Sequence, residues 1–235
     1  MSIAGNIEKI EERVQKVCNS LGRKRDDITL MGVSKFVPLN IVEQALCAGI
    51  NCFGESRVKE GTEKFRFLKE ERPQIKLHLI GSLQRNKAKS AALFFDCIQS
   101  VDRRELVEEL LKYVLLREKP LEILFELHTG EEAKSGFTSL DDLFKAAELA
   151  LNCVNLKPAG LMTMAPFIRP PLDAQDAGVI RSSFRRLVKA QEELKKRFPS
   201  ESWNCLSMGM SNDFEIAVEE GSTMLRIGTL IFKEL

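Results

Sequence analysis

Short apolar runs alternate with amphipathic stretches along nearly all of this 235-residue chain, and no other sequence feature limits its fold so strongly. The apolar runs fall at residues 28–34, 51–54, 76–81, 96–101, 121–127, 157–162, 203–207 and 223–227, and they predict strands. Helical periodicity fills the gaps at 57–71, 83–94, 103–117, 139–151, 174–198 and 213–219, and Pro38 opens a further helix through Ile41, Ala45 and Ala48. A helix also precedes the first strand, because Ile3, Ile7, Ile10, Val14, Val17 and Leu21 recur at three- and four-residue steps. Several strands are apolar on both faces, which calls for a parallel sheet covered by helices. The predicted fold is therefore α/β: a single (β/α)8 barrel with an additional N-terminal helix, residues 1–235 forming one domain. No Pro/Gly/Ser-rich linker divides the chain. A doubly wound open sheet is the alternative, but no GxGxxG follows the first strand and no GxxxxGK[S/T] occurs.

Composition excludes several function classes. With 35 Lys+Arg against 34 Asp+Glu, the net charge of +1 offers no global field for nucleic acid or an anionic membrane. The basic residues of the long helix, among them Arg181, Arg185, Arg186 and Lys189, share it with Glu192 and Glu193 and read as a solvated face. The six cysteines show no CxxC spacing and read as reduced, packed thiols. Only His78 and His128 are available, which leaves little for a metal centre or a Ser/His/Asp triad. The opening residues lack the pattern of a signal peptide, and no apolar run approaches the roughly 20 residues of a membrane span. The expected location is the cytoplasm.

In a barrel, reactive groups sit at the C-terminal strand ends and in the loops beyond them. After strands 7 and 8 the chain offers Ser207, Gly209, Gly228 and Thr229, small residues at the place where barrels often hold a phosphate. Gly209 and Gly228 also fit a plainer role as tight turns. Lys35 follows the first strand, at the junction with a Phe-Val-Pro loop, where partial desolvation would free its amine as a nucleophile toward an aldehyde. Closure of the barrel sets strand 8 beside strand 1, and so Arg226 near Lys35. A lysine for an aldehyde, an arginine for a ring nitrogen and a phosphate cup together suit pyridoxal 5'-phosphate.

Several motifs then carry a resemblance. Val33-Ser34-Lys35, Phe53-Gly54-Glu55, the run from His78 to Lys87, Ser100-Val101-Asp102-Arg103, Lys134-Ser135-Gly136-Phe137, the run from Gly160 to Pro166, the run from Leu206 to Ser211 and Arg226-Ile227-Gly228-Thr229 resemble the YggS/PROSC family of pyridoxal phosphate homeostasis proteins. The resemblance spans nearly the whole chain and keeps the family's motif order. It implies the barrel of alanine racemase N-terminal domains. It also implies Lys35 as the Schiff-base lysine, Arg226 at the pyridine nitrogen, Ser207, Gly228 and Thr229 at the phosphate, and Met162 near the ring. The chain departs from the family at Ser56, usually Asn, and at Lys59, usually Gln. The Asn that commonly ends strand 5 has no clear counterpart between Phe125 and Thr129.

The resulting expectation is a cofactor carrier in intracellular homeostasis, monomeric, that hands pyridoxal phosphate to apo forms of enzymes that use it. An arginine at the pyridine nitrogen leaves the ring a weaker electron sink than a carboxylate partner would. The one tyrosine, Tyr113, lies mid-helix and reads as packing on the barrel's exterior. A weak amino-acid racemase is the alternative, and a phosphate-sugar isomerase using Glu55 as base is a third reading. Lys134, in the loop after strand 5, is a candidate second amine.

Overall fold

The computed structural model describes residues 2–130 and 135–233. Its centre is a closed barrel of parallel strands in sequence order: β1 (Thr29–Val33), β2 (Cys52–Glu55), β3 (Lys76–Leu79), β4 (Cys97–Val101), β5 (Leu121–Glu126), β6 (Leu156–Met162), β7 (Cys205–Ser207) and β8 (Met224–Ile227). Closure pairs β8 with β1 through Thr29↔Met224, Leu30↔Leu225, Met31↔Arg226 and Gly32↔Ile227. The helices are α1 (Ile3–Leu21), α2 (Leu39–Cys47), α3 (Val58–Glu71), α4 (Ala88–Phe94), α5 (Arg104–Val114), α6 (Leu140–Leu151), α7 (Ala174–Arg197), α8 (Phe214–Glu219) and α9 (Thr229–Phe232).

α1 is a working part of the outer layer. The helix that follows β8 is a single turn, α9, too short to cover the seam between β8 and β1. α1 packs on α8, α9 and α2 instead and fills that place in the ring. Its buried stripe is Ile7, Ile10, Val14 and Cys18, the stripe expected from the three- and four-residue spacing. Ser2 caps its start by accepting from Gly5 N, and Gly22 ends it in the left-handed conformation. Arg13 then holds Glu215 of α8 through two bonds of 3.0 and 2.9 Å, and Asn6 donates to Ile231 O of α9 at 3.0 Å.

Two predicted elements are shorter than their sequence signals. The helix expected at 83–94 begins at Ala88, because residues 85–87 form a single 3-10 turn. β7 is confined to Cys205–Ser207, while Trp203 leaves the strand and is buried against the rings of Phe125 and Phe198 in the layer under the helices. Apolar character alone does not separate a strand residue from one buried beside it.

The barrel interior is packed unlike the branched aliphatic filling usual for this architecture. It holds Met31, Cys52 and Met224 in one cluster and Cys97, Leu124 and Met162 in another, with Cys205 packed against both. Burial drives the Cys52 and Cys97 thiols far above their ordinary range, so they are inert packing groups. The upper part of the interior is polar. Strand β6 meets it through an irregularity at Gly160, where the register with β5 shifts. A Cβ at Gly160 would lie 1.9 Å from Cys205 O, on a backbone that cannot give way. Gly160→Ala is expected to lower stability by about 4 kcal/mol or more, measured as the urea midpoint of the purified variant.

Candidate cofactor site

The loops at the C-terminal ends of the strands enclose a cavity of about 530 Å³. Among the predicted site residues it is lined by Lys35, Arg226, Met162, Gly228 and Thr229. The chain thus brings together, from β1, β6 and β8, groups separated by up to nearly the whole sequence.

Lys35 sits at the rim. Ser34, directly after β1, is buried and anchored: its N–H donates to Gly54 O (3.0 Å), its hydroxyl donates to Glu55 Oε1 (2.8 Å), and its carbonyl accepts from Lys64 Nζ (2.8 Å) and from Val37 N (3.0 Å). The chain then turns sharply at Phe36, a non-glycine residue at φ 63°, which releases Lys35 from the sheet. The expected desolvation of Lys35 is corrected here, because its side chain is exposed to solvent at the cavity mouth. The apolar neighbours in sequence, Phe36 and Val37, do not cover it: Phe36 is itself 75% exposed.

Arg226 sits on the floor. It is level with Met31, four positions below Lys35, at most about 13 Å of extended chain. Its guanidinium is buried, which pushes its pKa down to about 10 against the opposing pull of Asp213 and Glu126, and it stays cationic at neutral pH. Nη1 donates to Ser207 O (2.7 Å) and Ser207 Oγ (2.8 Å), and Nη2 donates to Thr163 O (2.7 Å). Thr163 is in turn fixed by its own hydroxyl, which donates to Leu127 O at 2.8 Å. Of the five N–H donors of an arginine, three are used by the described residues and two remain for the cavity that Arg226 lines.

The structure does not bring Ser207 and Gly209 to the cavity wall. The Ser207 hydroxyl is consumed below the floor, accepting from Arg226 and donating to Gln99 Oε1 (2.7 Å). Gly209 is a turn at φ 96°, where a Cβ would meet Ala217 Cβ at 2.6 Å and Leu225 Cδ2 at 2.9 Å; its role is steric. The serine that reaches the cavity is Ser211, beside Asn212. Asp213 makes this possible by accepting from Met210 N at 2.5 Å while its own N–H donates to Met210 O, which closes a turn with Ser211 and Asn212 at its apex. Ser211 Oγ accepts from Leu230 N at 3.3 Å and so ties this loop to α9, next to Gly228 and Thr229. The signal was the second serine of Ser207-Met208-Gly209-Met210-Ser211, together with an Asp two residues later that can close a turn by accepting from the backbone before it.

Glu126 is the other group that sequence reasoning passed over. It ends β5, is 3% exposed, lines the cavity and accepts from Ser135 Oγ at 2.8 Å. Burial raises its pKa, and the Ser135 bond lowers it. Glu55, by contrast, does not line the cavity: one oxygen accepts from Ser34 and from Lys64 of α3 at 2.8 Å, and Oε2 has no partner. Tyr113 is on α5 and donates to Glu109 at 3.0 Å, outside the cavity. Lys134 lies outside the described residues.

The basic face of α7 is more than a solvated surface. Arg181 pairs with Glu219 and Glu220, Arg185 pairs with Glu220, and Arg186 donates to Thr129 O, so these three cations stitch α7 to α8 and to the end of β5. No cluster of three metal-ligating side chains and no helix long and apolar enough to cross a membrane occurs among the described residues.

Comparison with known proteins places the chain in a family. Residues 6–235 match the family model described as alanine racemase, N-terminal domain. The pyridoxal phosphate homeostasis protein of Aquifex aeolicus is 35% identical over 100% of this chain and 99% of its own, and that of Vibrio cholerae is 37% identical over 99% and 96%. This chain belongs to the pyridoxal phosphate homeostasis protein family. The fold is shared with PipY of Synechococcus elongatus, solved with pyridoxal phosphate bound, at a TM-score of 0.79 and 29% identity over 94% of this chain and 99% of that one.

One buried titratable group gives the site region a pH signature. His78, on β3, has its pKa pushed down from 6.5 to about 4, chiefly by burial. Between these two values the unfolded chain takes up a proton that the folded state refuses, so this family member's stability falls as pH drops from 6.5 towards 4, by on the order of 3 kcal/mol from this group. Urea unfolding of wild type and His78→Gln across that range tests it, with a flatter pH slope expected for the variant.

Proposed function

We propose that this protein binds pyridoxal 5'-phosphate in the barrel-mouth cavity, holds it as a Schiff base on Lys35, and delivers it to apo-enzymes as a carrier in intracellular homeostasis. The observation that carries the reading is the opening of Lys35, the spare donors of Arg226 and the Ser211–Gly228–Thr229 edge onto one cavity. About 530 Å³ lies within the range of sites built for small cofactors. When bound, the cofactor supplies an aldehyde and an electron-withdrawing ring.

The chain's own residues act on it from three sides. Lys35 offers its amine from the rim, where exposure keeps the bond open to attack by water or by another amine, as a carrier requires. Arg226 offers charged N–H donors from the floor; a cation beside the ring nitrogen opposes its protonation and weakens the ring as an electron sink. Ser211, Gly228 and Thr229 offer hydroxyls and backbone to the phosphate. Met162, buried on β6, lines the same cavity and would offer an apolar surface to the ring. No tyrosine and no histidine lines this cavity among the described residues. The reading is of a protein without robust catalysis; with it go the expectations of a monomer in the cytoplasm that engages neither nucleic acid nor membrane.

One observation favours the second reading, a weak amino-acid racemase: Glu126 places a carboxyl with a raised pKa in the same cavity as Lys35. Exchange of the α-proton of added amino acids in D2O, lost in Glu126→Gln, would support it.

The principal test is the absorbance of the protein mixed with pyridoxal phosphate, beside Lys35→Ala. Wild type is expected to develop the long-wavelength band of a lysine-bound aldehyde, which borohydride fixes as added mass on the peptide containing Lys35. A band equal in the variant would remove Lys35 from its role. Thr229→Val and Ser211→Ala are each expected to weaken cofactor binding by about tenfold, read by equilibrium titration, because each removes one hydrogen bond to a charged group.

A further inference from the structure

Arg226 is the charged end of a buried polar chain that crosses the barrel below the cofactor cavity. Its Nη1 donates to Ser207 Oγ at 2.8 Å, Ser207 Oγ pairs with Gln99 Oε1 at 2.7 Å, and Gln99 Nε2 pairs with His78 Nδ1 at 2.8 Å. β8, β7, β4 and β3 each contribute one member, and all four residues are buried. Gln99 and His78 do not line the cavity, and nothing in the proposed chemistry uses them.

The direction of every bond follows from the charged end. A guanidinium only donates, so the Ser207 oxygen accepts from it and its hydrogen must find an acceptor elsewhere. Gln99 Oε1 is that acceptor. The Gln99 amide is then oriented, and its Nε2 is left to donate towards His78 Nδ1, with Met224 Sδ also at 3.0 Å. His78 Nδ1 must therefore be unprotonated, and the imidazole carries its proton on Nε2. The reverse orientation of Gln99 would point two donors at Ser207 Oγ, Arg226 and the amide, and leave the hydroxyl hydrogen without a partner in a buried site.

We propose that Gln99 is a positioning residue for the cofactor site, locking Ser207 as an acceptor so that Arg226 is held in one orientation with its two unused donors left for the ring nitrogen. The inference rests on the reading of Arg226 as the partner of that nitrogen. Removing Gln99 frees the Ser207 hydroxyl to rotate and takes from Nη1 one of its two fixed acceptors, while Ser207 O still holds Nη1 and Thr163 O still holds Nη2. The guanidinium then remains buried on two backbone carbonyls, and its aim is less tightly fixed.

The first measurement needs no cofactor. With two histidines in the chain, the imidazole nitrogen NMR spectrum separates His78 from His128 once His128→Gln assigns it. In the cofactor-free wild type at pH 7, His78 is expected to show a bare, hydrogen-bonded Nδ1 and a protonated Nε2. A proton on Nδ1 would overturn the proposal, whatever any variant does.

The second measurement uses the loaded protein. Gln99→Leu is expected to move the absorbance maximum of bound pyridoxal phosphate and to speed cofactor loss by about tenfold, the effect of one hydrogen bond to a charged group. Gln99→Glu keeps the acceptor for Ser207 and is expected to restore the wild-type absorbance maximum, while drawing a proton onto His78 Nδ1 at pH 7. Loaded Gln99→Leu with the wild-type absorbance maximum and wild-type loss rate would overturn the positioning role alone. No uptake of pyridoxal phosphate by the wild type would overturn the cofactor reading and this inference with it.

Discussion

The structure depends on keeping one full positive charge inside a barrel. A guanidinium 4% exposed would be expelled unless the surrounding atoms replaced its water, and here they do so with two backbone carbonyls and one hydroxyl. Much of the upper interior follows from that requirement. Ser207 must stay polar, Thr163 must present its carbonyl inward and is braced by its own hydroxyl, and Gln99 must accept what Ser207 cannot keep. Glu126 and Asp213 stand near enough to pull the Arg226 pKa back up, although each is itself raised by burial. An interior so committed to one charge is poorly packed by branched aliphatics, and the space around it is instead filled largely by methionine and cysteine, whose shapes adapt to irregular space.

Much of this was legible in the chain. The strand and helix alternation is a property of period, and period survives burial, so the closed barrel and its sequence order follow from it. The neighbourhood of Lys35 and Arg226 was legible for the same reason, since closure must pair the last strand with the first. What the sequence does not show is level along a strand. Ser207 and Ser211 both sit at the end of β7 in the sequence, yet a four-residue difference sends one hydroxyl beneath the floor and the other to the cavity. The exposure of Lys35 was invisible for a related reason: apolar neighbours in sequence suggest cover, but the positive φ of Phe36 turns that ring out to solvent.

Gln99 and His78 were also illegible, because a buried amide and a buried imidazole carry no periodic signal. His78 invites the question of metal or acid-base chemistry, and only the Gln99 contact shows it as a neutral acceptor sealed in the interior. The long basic stretch of α7 misleads in the opposite direction. Charge along one helix reads as a free face until Glu219 and Glu220 of the next helix are seen to occupy Arg181 and Arg185.

Rigidity and exposure are divided between the two ends of the cavity, and that division has a consequence for a carrier. The floor is over-determined: Arg226 makes three contacts to Ser207 and Thr163, and both residues are themselves braced. The rim is the reverse, a lysine freed from the sheet by a single turn, with Ser34 below it anchored to β2 and α3. On the proposed reading, a cofactor held by such a floor and joined to so open a lysine would keep its orientation if the bond at the rim were broken. Attack at the rim would then leave the contacts beneath undisturbed, whereas a catalyst that must restrain a reactive ring would gain nothing from so open a lysine.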